Sequence, residues 1–159
     1  MAWHRYRFRG QWRLAAPPGA VYAVLARPGE YPAWWPQVRE VAPAGAGAGR
    51  ARFRSVLPYD LRVTARETRR EPGAGVLEIA MTGDLEGWAR WTVRPEGSGT
   101  RLLFEQRVEV RRPLVRLLAV PGRPFFRLNH RLMMAAGLRG LRRRLAAGGG
   151  RPESGLDEA

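Results

Sequence analysis

Between Arg5 and Leu14 the chain alternates, with Tyr6, Phe8, Trp12 and Leu14 on one side and Arg5, Arg7, Arg9 and Arg13 on the other. A period of two with one apolar side describes a strand buried on one face. The same period returns over residues 50–57, 60–70, 75–82, 87–95 and 100–111. The breaks between these runs carry turn chemistry: Pro58-Tyr59-Asp60, Glu71-Pro72-Gly73, Gly83-Asp84 and Pro95-Glu96-Gly97-Ser98-Gly99. Such short breaks leave no room for crossover helices, so a doubly wound parallel sheet is excluded and the strands form an antiparallel, curved meander.

Helical periodicity occurs in two places. Pro17-Pro18-Gly19 stops the first strand, Ala20 to Leu25 follows as a short helix, and Tyr31 to Pro36 forms a second short helical or turn segment holding Tyr31, Trp34 and Trp35. From Pro113 a helical period runs to about Ala147, interrupted by Pro121 and Pro124. Proline breaks or kinks a helix, which predicts a short helix over 114–119, a bend, and a long helix over 124–146. Ala42 to Gly49 reads as a flexible hairpin or hinge loop, because its GAGAG run lacks the strand-to-helix context of a phosphate loop. The expected architecture is α+β: a curved antiparallel sheet wrapped around a long C-terminal helix, with two short helices after the first strand and a cleft between sheet and helix.

Composition narrows the chemistry. The 159 residues suit one domain. There is no cysteine and only His4 and His130, which excludes disulfides, thiolate metal sites, cysteine nucleophiles and histidine-rich metal clusters. Neither a metal nor a cofactor is expected. The chain starts without an apolar leader, and Leu14 to Ala26 is too short and proline-broken to span a bilayer, so a cytoplasmic, soluble protein is expected. All 28 basic residues are arginine, against 14 acidic ones, for a net charge of +14. This field attracts polyanions. However, the strand arginines Arg50, Arg52, Arg54, Arg62, Arg66, Arg101 and Arg107 fall on outward positions, interleaved with Glu78, Glu105 and Glu109, as cross-strand charge pairs would be. Nucleic acid is therefore not the expected partner, while peripheral contact with an anionic membrane stays open.

The inward positions are Phe53, Leu61, Val63, Leu77, Ile79, Met81, Trp91, Val93, Leu102, Phe104, Val108 and Val110. On a wheel of about 100° per residue, the final helix sets Arg127, Arg131, Arg139 and Arg142 opposite Phe126, Asn129, His130, Met133, Ala136, Gly137 and Gly140. A glycine inside a helix costs on the order of 1 kcal/mol relative to alanine. Two of them imply either a close backbone approach or space left open for a ligand. Asn129 and His130 are the polar groups of that side, and His130 is the candidate acid or base. Tyr59, Trp88 and Gln106 are further polar handles. No paired carboxylates, serine–histidine–acid set or phosphate-cradling loop is present, so no catalytic constellation is legible.

These residues carry a resemblance. Trp12-x-Leu14-x-Ala16-Pro17-x-x-x-Val21-Tyr22-x-Val24-Leu25, then Tyr31-Pro32-x-Trp34-Trp35-Pro36, resembles the start of the polyketide cyclase/dehydrase and lipid-transport branch of the START-like (SRPBCC) superfamily. Leu57-Pro58-Tyr59, Gly83-Asp84-Leu85-x-Gly87, Gly99-Thr100 and Asn129-His130-x-x-Met133-x-x-Gly137-x-x-Gly140-Leu141 are similar to members of the same branch, so the likeness spans about residues 6–146. It implies a START-like helix-grip domain over 4–147, while 148–159, Gly-rich and then acidic, reads from its composition as a disordered tail. It also implies an internal, largely apolar cavity for a lipid, isoprenoid or polyketide-like molecule. The expected ligand-binding set is Trp34, Trp35, Tyr59, Trp88, Trp91, Phe104, Gln106, Phe126, Asn129, His130, Met133 and Gly137, in a monomer or weak dimer. Two alternatives are a cyclase or dehydratase using the same cavity and an arginine surface that docks to anionic membrane or nucleic acid.

Overall fold

The computed structural model describes residues 5–45, 47–54, 61–110 and 113–149, and in the last segment the side chains of 124 and 127–147. The turn at Pro58-Tyr59-Asp60 and the tail beyond Gly149 lie outside the described residues. Seven strands form one antiparallel sheet: β1 (Arg5–Leu14), β2 (Val38–Pro43), β3 (Ala48–Phe53), β4 (Leu61–Glu71), β5 (Val76–Gly83), β6 (Leu85–Glu96) and β7 (Gly99–Val110). Helices α1 (Pro18–Leu25) and α2 (Tyr31–Trp34) follow β1, with a 3-10 turn at Pro28–Glu30, and α3 (Pro113–Gly149) closes the chain.

The sheet order is β1-β7-β6-β5-β4-β3-β2. From β2 onward every strand pairs with its sequence neighbour, as short turns dictate. The exception is β1, which pairs with β7 from Arg5↔Glu109 to Leu14↔Thr100. The α1–α2 segment therefore carries the chain from one edge of the curved sheet to the other, and α3 lies across the concave face. The predicted α+β architecture is the observed one.

Of the two readings of the glycine-rich run, hairpin or hinge, the hairpin is the observed one: Val38–Pro43 pairs with Ala48–Phe53 across a turn closed by Ala48 N–H donating to the Gly45 carbonyl at 3.3 Å. Two local expectations are corrected. The run read as 50–57 starts earlier, at Ala48. The bend predicted at Pro121 and Pro124 does not divide the last helix, which is one element of 37 residues. Each proline only lacks the N–H that would bond the carbonyl four residues back, and enough of the helical ladder survives on either side.

Inward strand positions form the core as their period demands: Val63, Leu77, Met81, Val93, Leu102, Phe104, Val108 and Val110 are buried. The outer face carries the charge pairs, including Arg90 with Glu78 at 2.9 Å and Arg9 with Glu105 at 3.2 Å, both between residues directly opposite in the ladder. Partly exposed pairs of this kind contribute about 0–1 kcal/mol each. They keep arginines extended over the outer surface more than they hold the fold.

Helix α3 is seated through its small residues. Met134 and Leu141 are buried. Gly137 lies under the Trp35 indole, and a Cβ there would sit 2.6 Å from the ring. Gly140 faces the Trp34 carbonyl, which a Cβ would overlap outright. Trp35 Nε1–H donates to the Met133 carbonyl at 2.9 Å, fixing the ring against the helix. The two glycines thus serve close approach by the Trp34-Trp35 segment. Gly140→Ala, which in an unconstrained helix gains about 1 kcal/mol, should here lose about 1–3 kcal/mol through overpacking against backbone, measured by urea denaturation.

Candidate functional site

A cavity of about 400 Å³ lies between the concave face of the sheet and α3. Its walls come from alternate strand positions, Ala51 and Phe53 of β3, Ala65 of β4, Leu77, Ile79 and Met81 of β5, Ala89 and Trp91 of β6, and Phe104 and Gln106 of β7. Val38 and Val41 of β2, Tyr31 and Trp35 of the connecting segment, and His130, Met133 and Met134 of α3 complete the wall. Apolar atoms dominate because one face of every strand was made apolar to bury it. Alanines at positions 51, 65 and 89 leave the space that larger side chains would occupy.

Besides Glu78, whose carboxylate is paired with Arg90, two polar features interrupt this lining. Deep inside, His130 Nε2 lies 3.0 Å from Gln106 Oε1, while Gln106 Nε2 turns to Met81 Sδ at 3.9 Å. The imidazole stacks flat on Phe8 of β1, with centroids 3.5 Å apart, and leans on Phe104 at 6.0 Å. Burial between these rings penalises the imidazolium and pulls the pKa down from 6.5 to about 4. The ring is therefore neutral near pH 7, donates Nε2–H to Gln106 and keeps Nδ1 as an acceptor. This couple can orient a polar atom of a ligand. It is poorly matched to proton transfer, which works best with a pKa near the operating pH.

At the mouth, Arg70 makes two bonds to Glu67, 2.6 and 2.8 Å, and a third to the Ala26 carbonyl at 2.9 Å. Residues three apart in a regular strand point to opposite faces. The bulge in β4 between Glu67 and Arg69 inserts the extra residue that turns Glu67 and Arg70 to the same side, where both line the cavity. Exposed Pro28, Gly29, Pro43 and Gly47 line it as well, so it meets solvent between the 3-10 turn and the β2–β3 hairpin. Nearby, the Tyr31 hydroxyl donates to the Leu25 carbonyl, and burial pushes its pKa up.

Six of the sequence-predicted residues meet in this cavity: Trp35, Trp91, Phe104, Gln106, His130 and Met133. Four lie elsewhere. Trp34 is buried, stacked on Trp35 at 5.5 Å, and Gly137 is covered by Trp35, so both belong to the helix seat. Trp88 is on the outer face, with Arg90 and Arg107 guanidinium carbons 5.0 and 5.9 Å from its ring centroid. An odd separation from Trp91 on one strand already requires opposite faces. Asn129 is partly buried on α3 and does not line the cavity. Tyr59 and the Phe126 side chain lie outside the described residues. Sequence reasoning missed Tyr31, Met134 and the Glu67–Arg70 pair; the last depends on a bulge that alternation alone does not reveal. Among the described residues no three His, Asp or Glu side chains converge as metal ligands.

This sheet-and-helix grip enclosing an apolar cavity defines a helix-grip protein. The sequence pattern of the family described as polyketide cyclase / dehydrase and lipid transport matches residues 5–146, and the chain belongs to that family. Among solved structures, it is similar to the Zhui aromatase/cyclase from Streptomyces sp. R1128, at 17% identity and a TM-score of 0.78 over 96% of this chain and 100% of that one. A protein from Thermus thermophilus matches at 21% identity and a TM-score of 0.73, covering 90% of this chain and 99% of that one. A START superfamily protein from Mycobacterium smegmatis matches at 17% and 0.69, covering 89% and 97%. At these identities the likeness shows the fold. No curated protein matches the chain in sequence.

The depressed pKa of His130 has a measurable consequence. Between pH 6.5 and about 4 the unfolded chain binds a proton that the folded one refuses, so stability falls as pH drops through that window and levels off below it. The component is on the order of 3 kcal/mol for a shift of this size. His130→Gln should flatten it, seen as a smaller difference in urea midpoint between pH 7 and pH 4 than in the parent, whose ring should remain neutral by NMR at pH 5.

Proposed function

We propose that the protein binds a hydrophobic small molecule, of lipid, isoprenoid or polyketide-like character, in the cavity between sheet and α3. The observation that carries this reading is a largely apolar space of about 400 Å³ in contact with solvent at one mouth, within the range of small-molecule sites. A purely structural core of this size would be filled to crystal-like density. The His130–Gln106 couple supplies one fixed hydrogen-bonding point against which an otherwise apolar ligand is oriented. Trp35, Trp91, Phe104 and Met133 supply contact area, and the Glu67–Arg70 pair borders the opening. Family membership supports the same class of ligand.

A second reading, a cyclase or dehydratase acting in this cavity, is favoured by the aromatase/cyclase among the structural neighbours and by the polar couple itself. Here His130 and Gln106 would polarise or position a carbonyl. The neutral ring fits that role better than proton donation.

Ala65 lines the cavity on β4, and Ala65→Trp should fill much of it. Binding of the neutral apolar fluorophore N-phenyl-1-naphthylamine should weaken about tenfold or more, because the lost contact area is that of a whole ring system. Denaturing extraction followed by mass spectrometry should release an apolar molecule from the parent and less from the variant. Unchanged fluorophore binding in a folded Ala65→Trp protein would place the site elsewhere.

A further inference from the structure

Helix α3 has eight arginines and no aspartate or glutamate in its 37 residues. Arg127, Arg131, Arg139 and Arg142 border a groove of about 560 Å³ between α3 and the edge strand β1, whose Arg7 and Arg9 form the other rim. The floor is apolar, with Phe8, Trp12 and Leu138. Glu105 pairs with Arg7 and Arg9 at 3.5 and 3.2 Å, and Arg142 donates to the Arg13 carbonyl at 3.2 Å. The guanidiniums of Arg127, Arg131 and Arg139 meet no carboxylate among the described residues. On the outer strand faces, by contrast, arginine and glutamate are interleaved.

A second observation lies on the same helix. Leu128 and Leu132, one turn apart and each following one of these arginines, are 47% and 51% exposed, and among the described residues they are the large apolar side chains that face water. At about 100° per residue, Arg139 projects between the directions of the two leucines, with Arg131 and Arg142 beside them. Charge and apolar surface thus share one face. Duplex nucleic acid would satisfy the charge and leave the leucines in water, and single strands are held by free aromatic faces on which bases stack, whereas Phe8 in the groove floor is stacked on His130 and Trp12 packs beside Trp91. An anionic lipid surface satisfies both, with phosphates for the guanidiniums and the acyl boundary for the leucines.

We infer that the outer face of α3, with the β1 rim of the groove, is a docking surface for anionic membrane. Phe104, His130 and Met134 line both the groove and the internal cavity. A docked protein therefore sets the lipid surface one layer of side chains from its ligand space. Docking itself does not depend on what the cavity holds.

The test is co-sedimentation of the full chain with vesicles of phosphatidylcholine alone or mixed with phosphatidylglycerol. Binding is expected to the mixed vesicles and not to phosphatidylcholine, and to weaken at least about tenfold as salt is raised from low to several hundred millimolar. The triple variant Arg127→Ser/Arg131→Ser/Arg139→Ser should lose about tenfold or more. Leu128→Ser/Leu132→Ser should weaken vesicle binding while leaving any binding to duplex DNA unmoved, which separates a membrane surface from a general polyanion site. Circular dichroism confirms that the surface variants fold. Equal binding to both vesicle types, parental affinity in the arginine variant, or vesicle binding unaffected by loss of the leucines would overturn the proposal. Fluorophore binding in the cavity reports separately on the ligand reading.

Discussion

The position of α3 over the sheet rests on the contact between two tryptophans and two glycines. Trp35 lies across Gly137 and bonds the Met133 carbonyl, and the Trp34 backbone reaches Gly140. A helix over a concave sheet leaves a gap, and here the gap is closed at the Gly137–Gly140 end and open near His130 and Met133. The closed end holds the helix at a fixed height. The open end is then a cavity with firm walls, because neither helix nor sheet can settle inward without displacing the tryptophans.

The one imidazole of that cavity shows how a polar group is kept in an apolar wall. Phe8 and Phe104 shield most of the ring from water, which suppresses its charge, and Gln106 uses its N–H. The result is direction without charge. A neutral donor–acceptor couple favours ligands with a complementary polar atom and costs less to desolvate than an ion would. An oxygenated hydrophobic molecule fits this better than a plain hydrocarbon.

The architecture was readable because period two and period 3.6 occupy separate parts of the chain, and inward residues such as Leu77, Met81, Val93 and Leu102 follow from alternation alone. The second strand was hidden because Val38–Pro43 is short and polar at its exposed positions, and the alanine and glycine after it imitate a flexible loop. Gly137 and Gly140 signalled smallness, but smallness does not say whether a ring or a ligand occupies the space. Trp88, expected inside, lies on the outer face, as its odd separation from the inward Trp91 on the same strand requires. The Glu67–Arg70 pair required knowing that β4 gains a residue at its bulge, which is set by pairing with β5 and not by local sequence. The six predicted residues that do line the cavity were therefore visible as inward aromatic, methionine and polar positions, while its mouth was a property of tertiary register.

The pairing of β1 with β7 has a consequence for biogenesis. Arg7 and Glu105 are 98 positions apart in sequence yet adjacent in the sheet. During synthesis the first strand leaves the ribosome with its partner not yet made, and its alternating aromatic face has nowhere to be buried. The β2–β7 meander consists of neighbour pairings and can assemble progressively, whereas closing so long a loop carries a high entropic cost before it gains any contact. Edge completion should thus be a late event of folding. The arginines alternating along β1 then act as a gatekeeper, keeping an unpaired and otherwise sticky strand apart from other nascent chains until β7 arrives.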